Sequence, residues 1–295
     1  MRRAPAFHLV DAFAGRPFEG EPLLLLDAER LDAKELADFA GEFCGTPVVM
    51  FEAPRDPVNS ARLRILSGET ARFRPAAVVA AAALLAQTRA EEILRREGVL
   101  VSLELGEGVF RCEVIRNRIG VCYAEFALAP ARAHAESPGA ARLAAGLGLS
   151  PDEIGFEGHA PRRFGPPETL VAPVATREAL RRAAPTPDFA QLLSEDAEVW
   201  IYARADAASE IAVEARLLGS RGGRPASGEA LAAFAAAAAE FERPQDGDHE
   251  IFVDLLDERD RRARVTLRFA VTGGALEETR LGGQTAIVAT GELTR

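Results

Sequence analysis

Apolar and polar residues alternate along Arg62-Leu63-Arg64-Ile65 and along Arg264-Val265-Thr266-Leu267-Arg268-Phe269. That is the period of strands with one solvated face. Short apolar runs at 23–26, 48–51, 63–66, 100–105, 109–115 and 119–123 predict further strands in the first half of the sequence. Runs at 199–203, 212–217, 251–256, 265–269 and 285–289 predict them in the second. Residues 32–43 and 177–183 have polar faces and predict helices, with Asp32 suited to an N-cap. Strands mostly follow one another instead of alternating with helices, which points to an antiparallel α+β arrangement.

Two segments break this pattern. Residues 76–86 and 230–239 are alanine-rich and apolar nearly all round. A helix apolar on every face is buried on every face, and alanine lets surrounding strands approach closely. The same tripeptide introduces each: Arg74-Pro75-Ala76 and Arg224-Pro225-Ala226. Proline suits the first helical turn, where its missing N–H would be unpaired anyway. The repeat predicts an internal duplication, two domains each wrapping a sheet around one central helix.

Composition narrows the function classes. The chain has 295 residues, 48% of them hydrophobic and 27% charged, with a net charge of −10. That is an ordinary globular composition long enough for two cores. An acidic chain without a basic cluster argues against nucleic acid and anionic membranes as partners. Lys34 is the only lysine and falls in an exposed helix, so Schiff-base chemistry is discounted. The 3 cysteines, Cys44, Cys112 and Cys122, show no CxxC spacing, and the 4 histidines show no HxxxH or HExxH, so no metal site is expected. Residues 1–13 lack the apolar stretch of a signal peptide, and residues 76–86 are about half the ~20 residues needed to cross a bilayer. The expectation is a reduced, soluble, cytoplasmic protein. No glycine loop matches a phosphate-binding pattern. Trp200 reads as a core strand residue, residues 259–264 as a charged hairpin turn, and His159 and His249 as exposed loop positions.

Four motifs, in order, carry a family resemblance. Val10-Asp11-Ala12-Phe13 with Pro17-Phe18-Glu19-Gly20-Glu21-Pro22 resembles the opening VDAF…PFxGNP of the PhzF family, the phenazine-biosynthesis isomerases. Phe164-Gly165 with Thr169-Leu170-Val171-Ala172-Pro173-Val174 is similar to that family's central motif, G-x-P-x-L-x-V-P-L. Arg224-Pro225-Ala226-Ser227-Gly228 stands where the family has DPATGS. Leu281-Gly282-Gly283-Gln284-Thr285-Ala286-Ile287-Val288-Ala289-Thr290-Gly291-Glu292-Leu293 is close to its V-G-G-R-A-V-V-V-A-x-G-x-L. The resemblance implies an α+β protein of two pseudo-symmetric domains of diaminopimelate-epimerase type, each a curved, mostly antiparallel sheet around a central Ala-rich helix. Domain one is expected over 1–128 plus a returning C-terminal strand at about 284–295, and domain two over 129–283. It further implies an active site in the inter-domain cleft, a homodimer, and cofactor-free proton transfer to and from carbon.

The residues that would carry this chemistry are missing. The family's S-E-T segment falls on Thr46-Pro47-Val48, so Pro47 replaces the glutamate. Its GHP segment falls on Phe73-Arg74-Pro75, so Arg74 replaces the histidine. The DPATGS aspartate becomes Arg224, and its serine Glu229. An arginine before each central helix has the wrong sign for the helix dipole. That repeat invites an anion held between Arg74, Ala76, Arg224, Ala226, Ser227 and Gly228, gripped by guanidinium forks and helix N–H groups. The competing reading pairs both arginines with local acids such as Glu69 and Glu229. Three functions follow: a PhzF-like protein without proton-transfer catalysis that binds a small anionic metabolite, an active cofactor-independent isomerase or epimerase using a displaced acid, or a non-catalytic partner subunit. Candidates for a displaced catalytic group are Glu69, Glu42 and Cys44.

Overall fold

The computed structural model describes residues 5–27, 33–43, 45–66, 73–117, 120–134, 136–166, 168–192, 198–206, 208–219, 227–257 and 261–293. The protein divides into two compact units, Met1–Ala127 with Gly282–Arg295, and Leu128–Leu281. Unit one contains β1 (Ala6–Ala12), β2 (Glu21–Asp27), α1 (Ala33–Glu42), β3 (Val48–Glu52), β4 (Ala61–Leu66), α2 (Pro75–Arg89), α3 (Glu91–Leu94), β5 (Val99–Leu105), β6 (Gly108–Arg116) and β7 (Cys122–Leu128). Unit two contains α4 (Ala140–Leu147), β8 (Arg162–Phe164), β9 (Thr169–Pro173), α5 (Arg177–Arg182), β10 (Glu198–Arg204), β11 (Ile211–Gly219), α6 (Gly228–Glu242), β12 (Gly247–Leu256) and β13 (Arg262–Thr272). The last strand, β14 (Ala275–Glu292), leaves unit two and pairs antiparallel with β1 in unit one, Ala6 opposite Glu292 and Ala12 opposite Thr285.

One element order occurs twice: two strands, a helix, two strands, a central helix, two strands. The pairings repeat with it. Strands that flank a helix are parallel, β2 with β3 and β4 with β5 in unit one, β9 with β10 and β11 with β12 in unit two. Strands joined directly are antiparallel, as in β1–β2, β3–β4, β5–β6, β10–β11 and β12–β13. A helix between two strands is long enough to serve as a parallel crossover, whereas a short turn can only make a hairpin. The strands of each unit are thus mixed in direction, and in unit two the antiparallel β8–β9 pair tips the balance toward antiparallel.

The alanine helices sit where their composition requires. In α2 every residue from Pro75 to Ala86 is buried, and α6 buries Ala230–Ala235, Ala237 and Ala238. The outer helices are amphipathic instead. Leu36 and Phe39 of α1 join Leu24, Leu26, Val48 and Met50 in one core, with Lys34 exposed on the opposite face. Phe7, Phe39 and Phe43 add a ring cluster, with centroids 5.0–6.1 Å apart. In unit two Val199, Ile201 and Ala203 pack with Ala179 and Leu180 of α5 on one side of β10. Trp200 and Tyr202 turn to the other side and meet Phe234 of α6 at 5.7 and 5.0 Å. Strand β10 is therefore apolar on both faces, which is why its sequence reads as a continuous run.

Three expectations need correction. The strand expected at 119–123 is β7, which begins at Cys122, because Asn117 Oδ1 accepts the Val121 amide at 2.9 Å and Gly120 at φ 90 completes a turn there. His249 lies in β12 and not in a loop. His159 is buried, only 8% exposed, beneath side chains from β10 and α6. Asp32, the proposed N-cap, lies outside the described residues.

Because α2 has no solvent face from Pro75 to Ala86, enlarging any of its inner alanines must displace a neighbouring element. Ala80→Leu is expected to destabilise unit one by about 1–3 kcal/mol through overpacking, read as a lower midpoint in denaturant unfolding.

Candidate functional site

The N-terminal motif builds the approach to α2. Asp11 in β1 is buried and its Oδ2 accepts the Phe18 amide at 2.6 Å. This bond ties the loop between β1 and β2 back onto the strand that precedes it. Gly20 then turns the backbone with φ 69, and a Cβ there would stand 2.1 Å from the Ala12 carbonyl oxygen. The C-terminal glycine pair serves the same region, since a Cβ on Gly283 would lie 2.3 Å from the Phe13 ring. The Ala14 amide donates to the Gln284 carbonyl at 3.0 Å. These contacts deliver the next residue, Glu21, as the first residue of β2.

Glu21 is the residue at this candidate site that sequence reasoning missed. Its side chain is 5% exposed and its Oε1 lies 3.0 Å from Nη1 of Arg74, itself 16% exposed. Arg74 occupies the N-cap of α2 in an extended conformation (φ −116, ψ 104), makes no side-chain cap, and is followed by Pro75 at the first helical position. A cation there opposes the helix dipole, and a carboxylate beside it restores the favourable sign. The acid that pairs Arg74 is thus Glu21, 53 residues away in sequence. The available signal was that Glu21 stands where the PFxGNP motif has asparagine and Arg74 where GHP has histidine. Both departures meet in one ion pair. Phe73 stacks on Phe110 at 4.7 Å and meets Phe126 edge-on, which fixes the backbone just before the cap.

Unit two caps its central helix differently. Ser227 is the N-cap of α6, and its Oγ accepts the Ala230 amide at 3.3 Å and donates to Glu229 Oε2 at 3.0 Å. Gly228 is buried at the first helical position. Arg224 and Ala226 lie outside the described residues, as do Glu69 and Cys44.

The other candidates fall in separate places. Pro47 precedes β3 and its carbonyl accepts the Leu24 amide at 3.0 Å, so it serves the β2–β3 ladder and carries no titratable group. Glu42 is exposed at the end of α1. Cys112 and Cys122 are buried, and burial pushes the Cys122 thiol up, away from the reactive thiolate. Among the described residues no group of three or more His, Cys, Asp or Glu could hold a metal ion, and no helix is long and apolar enough to cross a membrane.

Removing one partner of a buried ion pair leaves the other charge uncompensated, at a cost of about 3–5 kcal/mol. Glu21→Asn and Arg74→His, taken singly, are expected to destabilise unit one more than the double variant does. A double-mutant cycle in denaturant checks this, and strictly additive effects would contradict the pairing.

No family model matches the chain. Over 97% of its length and 97% of the relative's, it is 33% identical to an uncharacterized isomerase of Mesorhizobium japonicum. A Bacillus anthracis phenazine biosynthesis protein of the PhzF family shares its fold with a TM-score of 0.80 over 100% of both chains, at 20% identity. The structure of a predicted epimerase from Pseudomonas aeruginosa matches with a TM-score of 0.74 over 99% of this chain and 100% of that one, at 24% identity. With the four motifs in order and the duplicated sheet-around-helix units, the chain belongs to the PhzF family.

Proposed function

We propose that this chain is a PhzF-family protein that binds a small anionic metabolite at the N-terminal ends of its alanine helices without performing the family's proton transfer. The observation that carries the reading is the Glu21–Arg74 pair at the N-cap of α2. A guanidinium does not titrate near neutral pH, so Arg74 cannot stand in for a histidine that gives and takes protons. Proline at position 47 offers no carboxylate. What Arg74 offers instead is a fixed cation with several donors. Glu21 engages one arm of the fork and holds its plane, while in the first turn of α2 Pro75 has no N–H and Ala77 donates to the Arg74 carbonyl at 3.0 Å, which leaves the Ala76 amide as the donor on offer. A carboxylate or phosphate suits that combination. Ser227 and Gly228 supply the corresponding helix start in unit two. Arg224 and Ala226 belong to the same proposal. We further infer a homodimer and a role in metabolism without a bound cofactor.

A second reading is an active isomerase with a displaced acid. Glu21 favours it over Glu42, because a buried carboxylate beside a helix start is better placed for chemistry than an exposed one. Its pairing with Arg74 weighs against it, since the carboxylate is already committed to a fixed cation.

Thermal unfolding against small carboxylates and phosphorylated metabolites tests both. A ligand at about 100 times its Kd adds roughly 2.7 kcal/mol, several degrees in the midpoint. The shift is expected in the wild type and absent in the Glu21→Gln/Arg74→Gln double variant, which removes the pair together. No shift with any compound contradicts anion binding. Each compound that binds is then incubated with the protein in D2O. Recovery without deuterium on carbon supports the lead reading. Deuterium incorporation that disappears in Glu21→Gln establishes the second.

A further inference from the structure

At the other end of α6, and independent of any ligand, a line of titratable groups runs from Tyr202 and His159, buried inside unit two, to the half-exposed Glu242. His159 closes a tight loop over residues 155–159, in which its amide donates to the Phe156 carbonyl at 2.6 Å. Gly155 and Gly158 adopt φ 94 and 83, and Glu157 adopts φ 33. The imidazole Nδ1 lies 2.9 Å from Tyr202 Oη in β10, and Nε2 lies 2.9 Å from Oε1 of Glu242, the last residue of α6. Phe156 stacks on the ring at 4.6 Å and Phe241 packs at 4.8 Å. Three separate elements therefore meet on one histidine.

The charged groups around it fix the tautomer. A carboxylate only accepts, so Nε2 carries the proton toward Glu242, and Nδ1 of the neutral ring accepts from the Tyr202 hydroxyl. Both ring nitrogens and the hydroxyl are then satisfied. Arg204 of β10 donates to Glu242 at 2.8 Å, approaches His159 Nε2 at 3.5 Å, and lies 3.9 Å from Glu157. Arg162 of β8 pairs with Glu240 at 2.9 Å and covers Phe241 at 5.4 Å.

Protonating the ring breaks this order. Nδ1–H then points at Tyr202 Oη, which must accept and turn its own proton elsewhere. Tyr202 is 1% exposed, and among the described residues His159 is the one hydrogen-bond partner of its hydroxyl. Loss of the phenol proton offers no relief, because burial and the Glu242 carboxylate push that group up. Burial likewise lowers the basicity of His159 and Arg204 lowers it further, while Glu242 and Glu157 pull the other way. Glu242 is half exposed and shares its charge with Arg204, so its pull is weakened.

We propose that the Tyr202–His159–Glu242 relay is a pH-sensitive latch that fastens the 155–159 loop to β10 through Tyr202 while His159 is neutral, and loosens it when the ring takes a proton and keeps only its pairing with Glu242. The sign follows from linkage. A histidine less basic folded than unfolded contributes stability above its ordinary titration range, and that contribution is lost as pH falls from 6.5 through the folded value.

Histidine-ring NMR titration of the intact protein, with His159→Gln used to assign the signal, tests the latch. His159 is expected to titrate below 6.5. Tyr202→Phe, which removes only the hydroxyl, raises that midpoint by roughly one pH unit. Glu242→Gln lowers it. Exchange of the 155–159 amides, corrected for intrinsic rates, speeds about tenfold between about pH 7.5 and 5 in the wild type and stays flat in His159→Gln. A wild-type midpoint at or above the ordinary value, no response to Tyr202→Phe, or equal pH dependence of exchange in both proteins would overturn the proposal.

Discussion

A helix that is apolar on every side must be walled on every side, and this requirement organises both units. Alanine makes the arrangement possible, because strands can close on a one-carbon side group without leaving voids. In α2 burial is continuous from Pro75 to Ala86, longer than one face of any amphipathic helix would allow. Strands that precede and follow such a helix are forced into parallel neighbours, as β4–β5 and β11–β12 are. A second, amphipathic helix then covers the outside of the sheet, α1 in unit one and α5 in unit two. The same solution used twice is the physical content of the duplication hinted at by Arg74-Pro75-Ala76 and Arg224-Pro225-Ala226.

The starts of the two central helices differ in how they are capped. At α6, Ser227 caps a first-turn amide in the usual way. At α2 there is no such cap, and a partly buried arginine stands where dipole and desolvation both disfavour it. Glu21 resolves that conflict, and the VDAF loop with Gly20 and Gly283 places Glu21 where it can do so. Motif residues that look like signatures of chemistry thus have a mechanical task in this protein, which is to deliver one carboxylate to one guanidinium.

Much of the fold was legible because it is local. The alternation in β4 and β13, the amphipathic stripe of α1 and the alanine runs of α2 and α6 are all readable within about fifteen residues. Strand β1 escaped that reading because His8 and Asp11 interrupt its apolar pattern, and the buried Asp11 accepts the Phe18 amide from the loop that follows. Parallel pairing was not legible, since it depends on what the intervening helix packs against. The site followed the same rule. Pro47 and Arg74 stood out as departures from the family's motifs, but Glu21 gains its meaning from a partner 53 positions on. His159 looked like a loop residue among glycines, and Tyr202, 43 positions on, together with Glu242 is what buries it.

The most direct measurement of the central claim is native-state hydrogen exchange of the α2 and α6 amides as a function of denaturant. If each helix is walled on all sides, its inner amides exchange only when the surrounding unit opens. Their exchange free energies then converge within a unit and fall with the slope of that unit's unfolding. Inner amides of α2 that exchange with a slope near zero, through local fraying alone, would contradict the account.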